Sequence, residues 1–350
     1  MKILMIIRKL RYSGAYKMFM WLAKALADNG LDVTVCTWAN NDVNTLPDNI
    51  KWKKLELDGK GFFTVMRAIR KVIKEANADV SLSFLLDGNV YNTIGCMGRR
   101  TKSVICERND PFKPGYYKLK FWKPLFRFAD GAVFQLPKVA EYYNNIKGIT
   151  AVIPNPVLSK GESNLESFEN RPNVINVLGR LDLFQKRHDV MIEAFSIFVK
   201  QHPTYKLVFY GDGPDKHKME DQVKRLGIEE DVEFAGITNQ PMEVMLSNKM
   251  FVLTSDFEGI PNSLIEAMSI GLPCISSDCR PGGAKFLIED GMNGFLVPTN
   301  DAKAIADKME WLVCNPTKAN EIGQRAKQIV NKYSEAYITE LWNKYLSKLH

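Results

Sequence analysis

The sequence predicts an α/β protein of two doubly wound domains, each built on a parallel sheet. Three observations carry that expectation. Short apolar runs alternate with segments of helical spacing from one end of the chain to the other. At 350 residues the chain exceeds what a single hydrophobic core usually serves. Between two series of such elements stands a polar stretch opened by Pro154-Asn155-Pro156.

In order, strands are expected at 2–7, 32–37, 80–84, 104–106, 132–134 and 150–153. The first intervening helix is plain: Phe19, Leu22, Ala23 and Leu26 recur at i, i+3, i+4 and i+7, and Gly30 supplies the stop. Residues 159–173 hold few apolar side chains and read as a linker. A second series follows at 174–178, 206–210, 232–234, 250–253 and 274–276, and Met191, Phe195, Phe198 and Val199 form one helical face within it. Strand, helix, strand repeated in this way implies right-handed crossovers and a parallel sheet. The domains are expected at 1–157 and 158–333, with a helix at about 334–350 packing back on the first.

A composition of 45% hydrophobic and 25% charged residues is that of a globular chain. The six cysteines show no C-x2-C spacing, so reduced thiols and no disulfide framework are expected. MKILMIIRKL offers an apolar run too short for a signal core or a membrane span, so the reading is a cytoplasmic chain, neither secreted nor integral. Four histidines without ligand spacing, and no D-x-D, leave a metal without a cage. Any phosphate charge then falls to Arg, Lys and helix ends.

Residues 251–298 are the most informative stretch. The run 251–253 reads as a buried strand, and 256–262, with Gly259 and Pro261, as the loop leaving it. Ser263 followed by Glu266 is a capping-box pattern, Leu264, Ile265 and Met268 continue the helix, and Gly271 with Pro273 ends it. Beyond the carboxyl ends of parallel strands lies the usual ligand crevice, where a helix N-terminus favours an anion. Carboxylates at the same place suit sugar hydroxyls, which donate hydrogen bonds without adding charge. Glu258 and Glu266 therefore fit a ligand carrying both a diphosphate and hydroxyls. The plainer alternative is a cap residue and a solvated loop acid.

With Ser255, Glu258, Gly259, Pro261, Glu266, Ala267, Gly271 and Pro273, this window resembles the E-x7-E signature of the retaining glycosyltransferases of family 4. The resemblance implies the GT-B architecture, two Rossmann-like domains facing each other across a cleft. It further implies that Glu266 accepts hydrogen bonds from the ribose of a nucleotide, that Glu258 sits beside the donor sugar, and that backbone at Gly259, Ile260, Pro261 and Asn262 holds sugar hydroxyls. The amides of Ser263 and Leu264 would face the diphosphate. In LGRLDLFQKRHDVMIEAF, Arg180 and Lys186 match the family's diphosphate-binding cations, which suits a leaving group that gains charge without a metal. Tyr210-Gly211-Asp-Gly213-Pro214 resembles the family's G-x-G-P loop, Phe234-Ala-Gly-Ile237 its nucleobase segment, and Pro281-Gly-Gly283 its glycine pair near the cleft.

The first domain would hold the acceptor. Its loop Arg11-Tyr-Ser-Gly14-Ala-Tyr-Lys17 resembles the family's G-G-A-E loop, with Ser13 and Tyr16 replacing the first glycine and the acid. Glu107-Arg108-Asn-Asp-Pro111 and Val133-Phe-Gln135 resemble the E-R-N-x-P subgroup, whose members build bacterial capsules, exopolysaccharides and O-antigens; Glu107 and Arg108 are acceptor-side candidates against a loop-stabilising ion pair. Residues 111–128 interleave Lys113, Lys118, Lys120, Lys123 and Arg127 with aromatic rings, the interfacial membrane pattern. Nucleic acid would fit a basic patch too, and the formal +7 charge does not choose; an anionic leaflet is preferred, because a lipid-linked acceptor lives there.

The sequence-based expectation is thus a metal-independent retaining hexosyltransferase without cofactor, moving a sugar from a UDP-sugar to a lipid-linked glycan at the inner face of the plasma membrane. No nucleic acid partner is expected. A nucleotide-sugar 2-epimerase would lack the G-R-L…K and E-x7-E pairing, and a non-catalytic carbohydrate-binding scaffold would not need Arg180, Lys186, Glu258 and Glu266 together.

Overall fold

The computed structural model describes residues 1–10, 14–43, 45–113, 115–158 and 165–349. The chain divides into two compact units, Met1–Asn155 with Glu335–His350, and Pro156–Ser334. The first unit runs β1 Lys2–Ile6, α1 Gly14–Asp28, β2 Asp32–Thr37, β3 Ile50–Lys54, α2 Phe62–Ala76, β4 Val80–Phe84, α3 Leu85–Cys96, β5 Lys102–Glu107, α4 Tyr117–Trp122, β6 Gly131–Phe134, α5 Pro137–Tyr142 and β7 Ile149–Val152. The second runs β8 Val174–Leu178, α6 His188–Phe198, β9 Lys206–Tyr210, α7 Lys216–Leu226, β10 Val232–Gly236, α8 Pro241–Leu246, β11 Phe251–Leu253, α9 Asn262–Ser269, β12 Cys274–Ser277, α10 Gly283–Leu287, β13 Phe295–Val297, α11 Ala302–Cys314, α12 Pro316–Lys327 and α13 Ile329–Lys332. Helix α14, Glu335–Ser347, belongs to the first unit.

The first unit carries one seven-stranded parallel sheet in the order β3-β2-β1-β4-β5-β6-β7. Its central strands are buried on both faces, as helix-covered parallel strands must be. The apolar stripe of α1 is buried as its spacing predicts. Strand β3 escaped the sequence reading because its KWKK pattern is mostly solvent-facing at the sheet edge. Helix α14 closes on this unit through buried Trp342 and through Tyr345, whose hydroxyl donates to the Ile149 carbonyl at 3.0 Å.

In the second unit the expected single sheet is divided into β10-β9-β8 and β11-β12-β13, both parallel. The seam has a physical cause. The buried Asn248 amide accepts from Asn176 N at 2.6 Å and donates to Asn176 O at 3.0 Å, so a side chain occupies backbone groups of β8 that a ladder to β11 would use. The linker reading also needs correction. Residues 159–164 lie outside the described residues, but Phe168 is buried in the core of this unit with Ile175, Phe195 and Phe209, and the Lys249 ammonium donates to the Arg171 carbonyl at 2.9 Å. Few apolar residues were visible in 159–173, yet one fully buried phenylalanine is enough to pin its second half.

Candidate active site

The loops that follow parallel strands collect at one edge of a sheet, and in the second unit those edges carry the predicted donor residues. After β8, the loop 179–187 presents Arg180 and Lys186; after β11, the loop 254–261 presents Glu258. The two loops are stitched together. Asp256 N donates to Gln185 O at 2.9 Å, Gln185 Nε2 to Phe257 O at 3.1 Å, and Thr254 Oγ1 to Lys186 O at 2.8 Å. Across this seam Lys186 Nζ lies 2.6 Å from Glu258 Oε1, which also accepts from Ser255 Oγ at 2.8 Å. Both charged side chains are largely withdrawn from solvent, 24% and 12% exposed, so the pair is held in a low-dielectric setting.

Arg180 is the contrast. Its side chain is 62% exposed and rests against Asp182, which is itself buried and accepts from Phe184 N at 3.0 Å. The guanidinium is thus oriented but accessible. Arg187, which sequence reasoning passed over, takes a left-handed backbone at φ 50° and bonds Asp189 at 2.9 Å and Asp256 at 3.0 Å, with Asp189 beside it raising the guanidinium above its ordinary value. It locks the loop at the start of α6. Phe184, also missed, is exposed and packs edge-on to Phe257.

Backbone packing accounts for the glycines. A Cβ on Gly211 would stand 1.9 Å from the Gly179 carbonyl oxygen, and one on Gly283 would stand 1.7 Å from that of Gly259. Adjacent strand-to-helix turns therefore touch main chain to main chain, which only glycine permits. Gly213 is similarly close to Leu181 O, at 2.2 Å. Ile237, just past β10, is 79% exposed.

The capping box is not formed. Pro261 occupies the position before the helix, no side chain caps it, and Ser263 lies inside α9. Glu266 is half-buried on the first turns of that helix, and the Leu264 amide donates to the Pro261 carbonyl at 3.2 Å within the turn. Among the described residues no group of three or more His, Cys, Asp or Glu is arranged to hold a metal ion.

In the first unit, Gly14 opens α1, and Arg11 to Ser13 of the predicted loop lie outside the described residues. Glu107 is buried at the end of β5 and accepts from Arg108 N at 3.0 Å, Asn109 N at 3.1 Å and the Tyr143 hydroxyl at 3.2 Å; burial raises its carboxyl. Arg108 donates to Asn155 Oδ1 at 3.2 Å and lies over the Phe84 ring at 4.7 Å. The two side chains form no ion pair with each other: the Glu107 carboxylate is held by backbone amides and Tyr143, and the Arg108 guanidinium by Asn155. In residues 111–128, Leu119 and Phe126 are buried, whereas Tyr117 and Phe121 are 75% and 73% exposed; Pro114 lies outside the described residues. Trp122 stacks on Phe62 of α2 at 5.5 Å, which brings the 77% exposed Phe63 to the same aromatic surface. The Phe62-Phe63 pair, 60 and 59 residues before Trp122, gave no sequence signal of that neighbourhood. No helix of the described residues is long and apolar enough to cross a membrane.

Residues 162–329 match the family model described as glycosyl transferases group 1. Over its full length the chain is 29% identical to 99% of a Campylobacter jejuni protein named GalNAc-alpha-(1->4)-GalNAc-alpha-(1->3)-diNAcBac-PP-undecaprenol alpha-1,4-N-acetyl-D-galactosaminyltransferase. It is 35% identical, over 45% of its own length and 32% of the other's, to a Staphylococcus aureus poly(ribitol-phosphate) alpha-N-acetylglucosaminyltransferase. The crystal structure of Anabaena HepE in complex with UDP and glucose superposes with a TM-score of 0.85 at 21% identity, covering 99% of this chain and 100% of that one. That likeness establishes the fold, which is GT-B.

Proposed function

We propose that this chain, whose residues 162–329 match glycosyl transferases group 1, is a glycosyltransferase of bacterial surface-glycan biosynthesis that transfers a sugar from UDP to a lipid-linked glycan with retention of configuration and without a metal. The contact between Lys186 and Glu258 carries the reading. In this reading a half-buried cation, one of whose N–H donors is already given to Glu258, stands beside the place where a sugar diphosphate separates. Lys186 keeps two further N–H donors for phosphate oxygens, and exposed Arg180 supplies a forked guanidinium for the same group. As the sugar–phosphate bond breaks, negative charge grows on the leaving UDP, and fixed cations stabilise that growth most where water is excluded. Glu266 receives the ribose hydroxyls, backbone at Gly259, Ile260, Pro261 and Asn262 the sugar hydroxyls, and Ile237 lies against the base. The acceptor oxygen attacks from the side of the departing phosphate, whose oxygen takes its proton; Glu258 holds the sugar and Lys186 and forms no bond to carbon.

The acceptor belongs to the first unit, whose exposed aromatic and basic residues 111–128 we assign to an anionic leaflet on the cytoplasmic side. A relative named for an undecaprenol-linked substrate and a UDP-bound neighbour support lipid-linked acceptor and UDP donor respectively. A thermal-shift screen across UDP- and GDP-sugars tests the donor: stabilisation by one UDP-sugar is expected, and stabilisation by GDP-sugars alone would contradict it.

A further inference from the structure

We propose that His188 is a positioning residue for the cations of the donor site: its imidazole grips the Arg180 carbonyl and so fixes the course of the loop that presents Arg180 and Lys186. The inference rests on the donor site described above. His188 is the first residue of α6, 3% exposed, with Nε2 at 3.1 Å from Arg180 O and its ring edge against Phe209 of β9 at 5.4 Å. A carbonyl only accepts, so the contact requires the hydrogen on Nε2. Nδ1 is then a bare acceptor, and it is buried without a hydrogen-bond partner.

The same carbonyl accepts from Asp182 N at 2.9 Å, so His188 fills its second lone pair and holds a turn already tight at Asp182. Further ties hold the rest of the loop: Leu183 N to Asp215 Oδ2 at 2.9 Å, and Lys186 O to Thr254. His188 is the tie on the Arg180 carbonyl itself, between the bonds from Gly179 N to Tyr210 O at 3.0 Å and from Leu181 N to Asp212 O at 3.0 Å. The ring stays neutral, since burial draws it down to about 4 and Lys186 adds repulsion, so it anchors the loop without placing a further charge at the phosphates.

The test compares wild type with His188→Phe and His188→Leu, which remove the donor, and with His188→Gln, which returns an N–H toward the same carbonyl. Two readouts are taken on the whole chain: UDP affinity by calorimetry, and hydrogen exchange of amides 179–187 without ligand. The donor-less variants should bind UDP about tenfold more weakly and exchange faster in that loop, and His188→Gln should return both to within about threefold of wild type. Unchanged exchange in Phe and Leu variants that fold, or a Gln variant no better than they are, overturns the inference. If exchange responds as stated but wild type binds no UDP, the loop anchor stands and the donor reading falls.

Discussion

Lys186 Nζ and Glu258 Oε1 meet at 2.6 Å although the two residues stand 72 positions apart, one on the loop after β8 and one on the loop after β11. With Ser255 as second donor to the same oxygen, the pair fixes both charges at the seam between two sheets. Lys186→Ala should lower turnover by about 10²- to 10³-fold. It should also lower the melting temperature, because Glu258 is left half-buried without its cation. Glu258→Gln added to Lys186→Ala should recover the melting temperature and leave turnover low, measured by calorimetry and by UDP release.

Glu258 accepts two hydrogen bonds and is directed by them at Lys186 and Ser255. In the proposed reaction it is given no nucleophilic role. Glu258→Gln incubated with donor should keep its unmodified intact mass while turnover falls. A mass increase of one sugar on the protein would refute the assignment.

At Gly211 the backbone has φ 150° and main chain of Gly179 where a Cβ would go. Gly211→Ala should destabilise by more than about 1 kcal/mol and weaken UDP binding, since β8 and β9 would have to part just below Arg180. Gly61→Ala, with open space around it, is the control and should leave UDP binding unchanged.

The alternation of elements, the buried face of α1, and the loops bearing Arg180, Lys186 and Glu258 were legible in the chain, because each depends on residues close in sequence. What escaped depends on long-range contact. The sequence holds Lys186 and Glu258 but not their contact, nor the Asn248 amide that interrupts the second sheet. Phe168 looked like one apolar residue in a linker and is core. Ser263 has the right spacing for a cap, but Pro261 starts the helix earlier. Glu107 and Arg108, neighbours in a charged motif, turn to different partners once the sheet forms.

The exposed rings of Tyr117 and Phe121 stand among Lys118, Lys120 and Lys123. Replacing the three lysines by serine should reduce partitioning onto vesicles containing anionic lipid by roughly 100-fold, at about 1 kcal/mol for each cation. Phe121→Ser should reduce binding in a way that added salt does not mimic. Partitioning of wild type that ignores lipid charge would contradict the assignment.

His188 also gives the fold a pH dependence. Its imidazole titrates near 6.5 when unfolded and is drawn down to about 4 by burial in the native state. Between those values the unfolded chain binds the extra proton, so stability is full above about 6.5 and declines as pH falls toward 4, by about 3 kcal/mol in all. Denaturant midpoints of wild type against His188→Gln over that range should show wild type losing ground as pH drops.

The most direct measurement is the anomeric configuration of the product formed from α-configured UDP-sugars and an undecaprenyl-diphosphate-linked glycan, read by NMR in buffer containing a metal chelator. The account predicts UDP release and an α-linked product from wild type, with both nearly lost in Lys186→Ala. A β-linked product, or turnover that Lys186→Ala leaves intact, would contradict it.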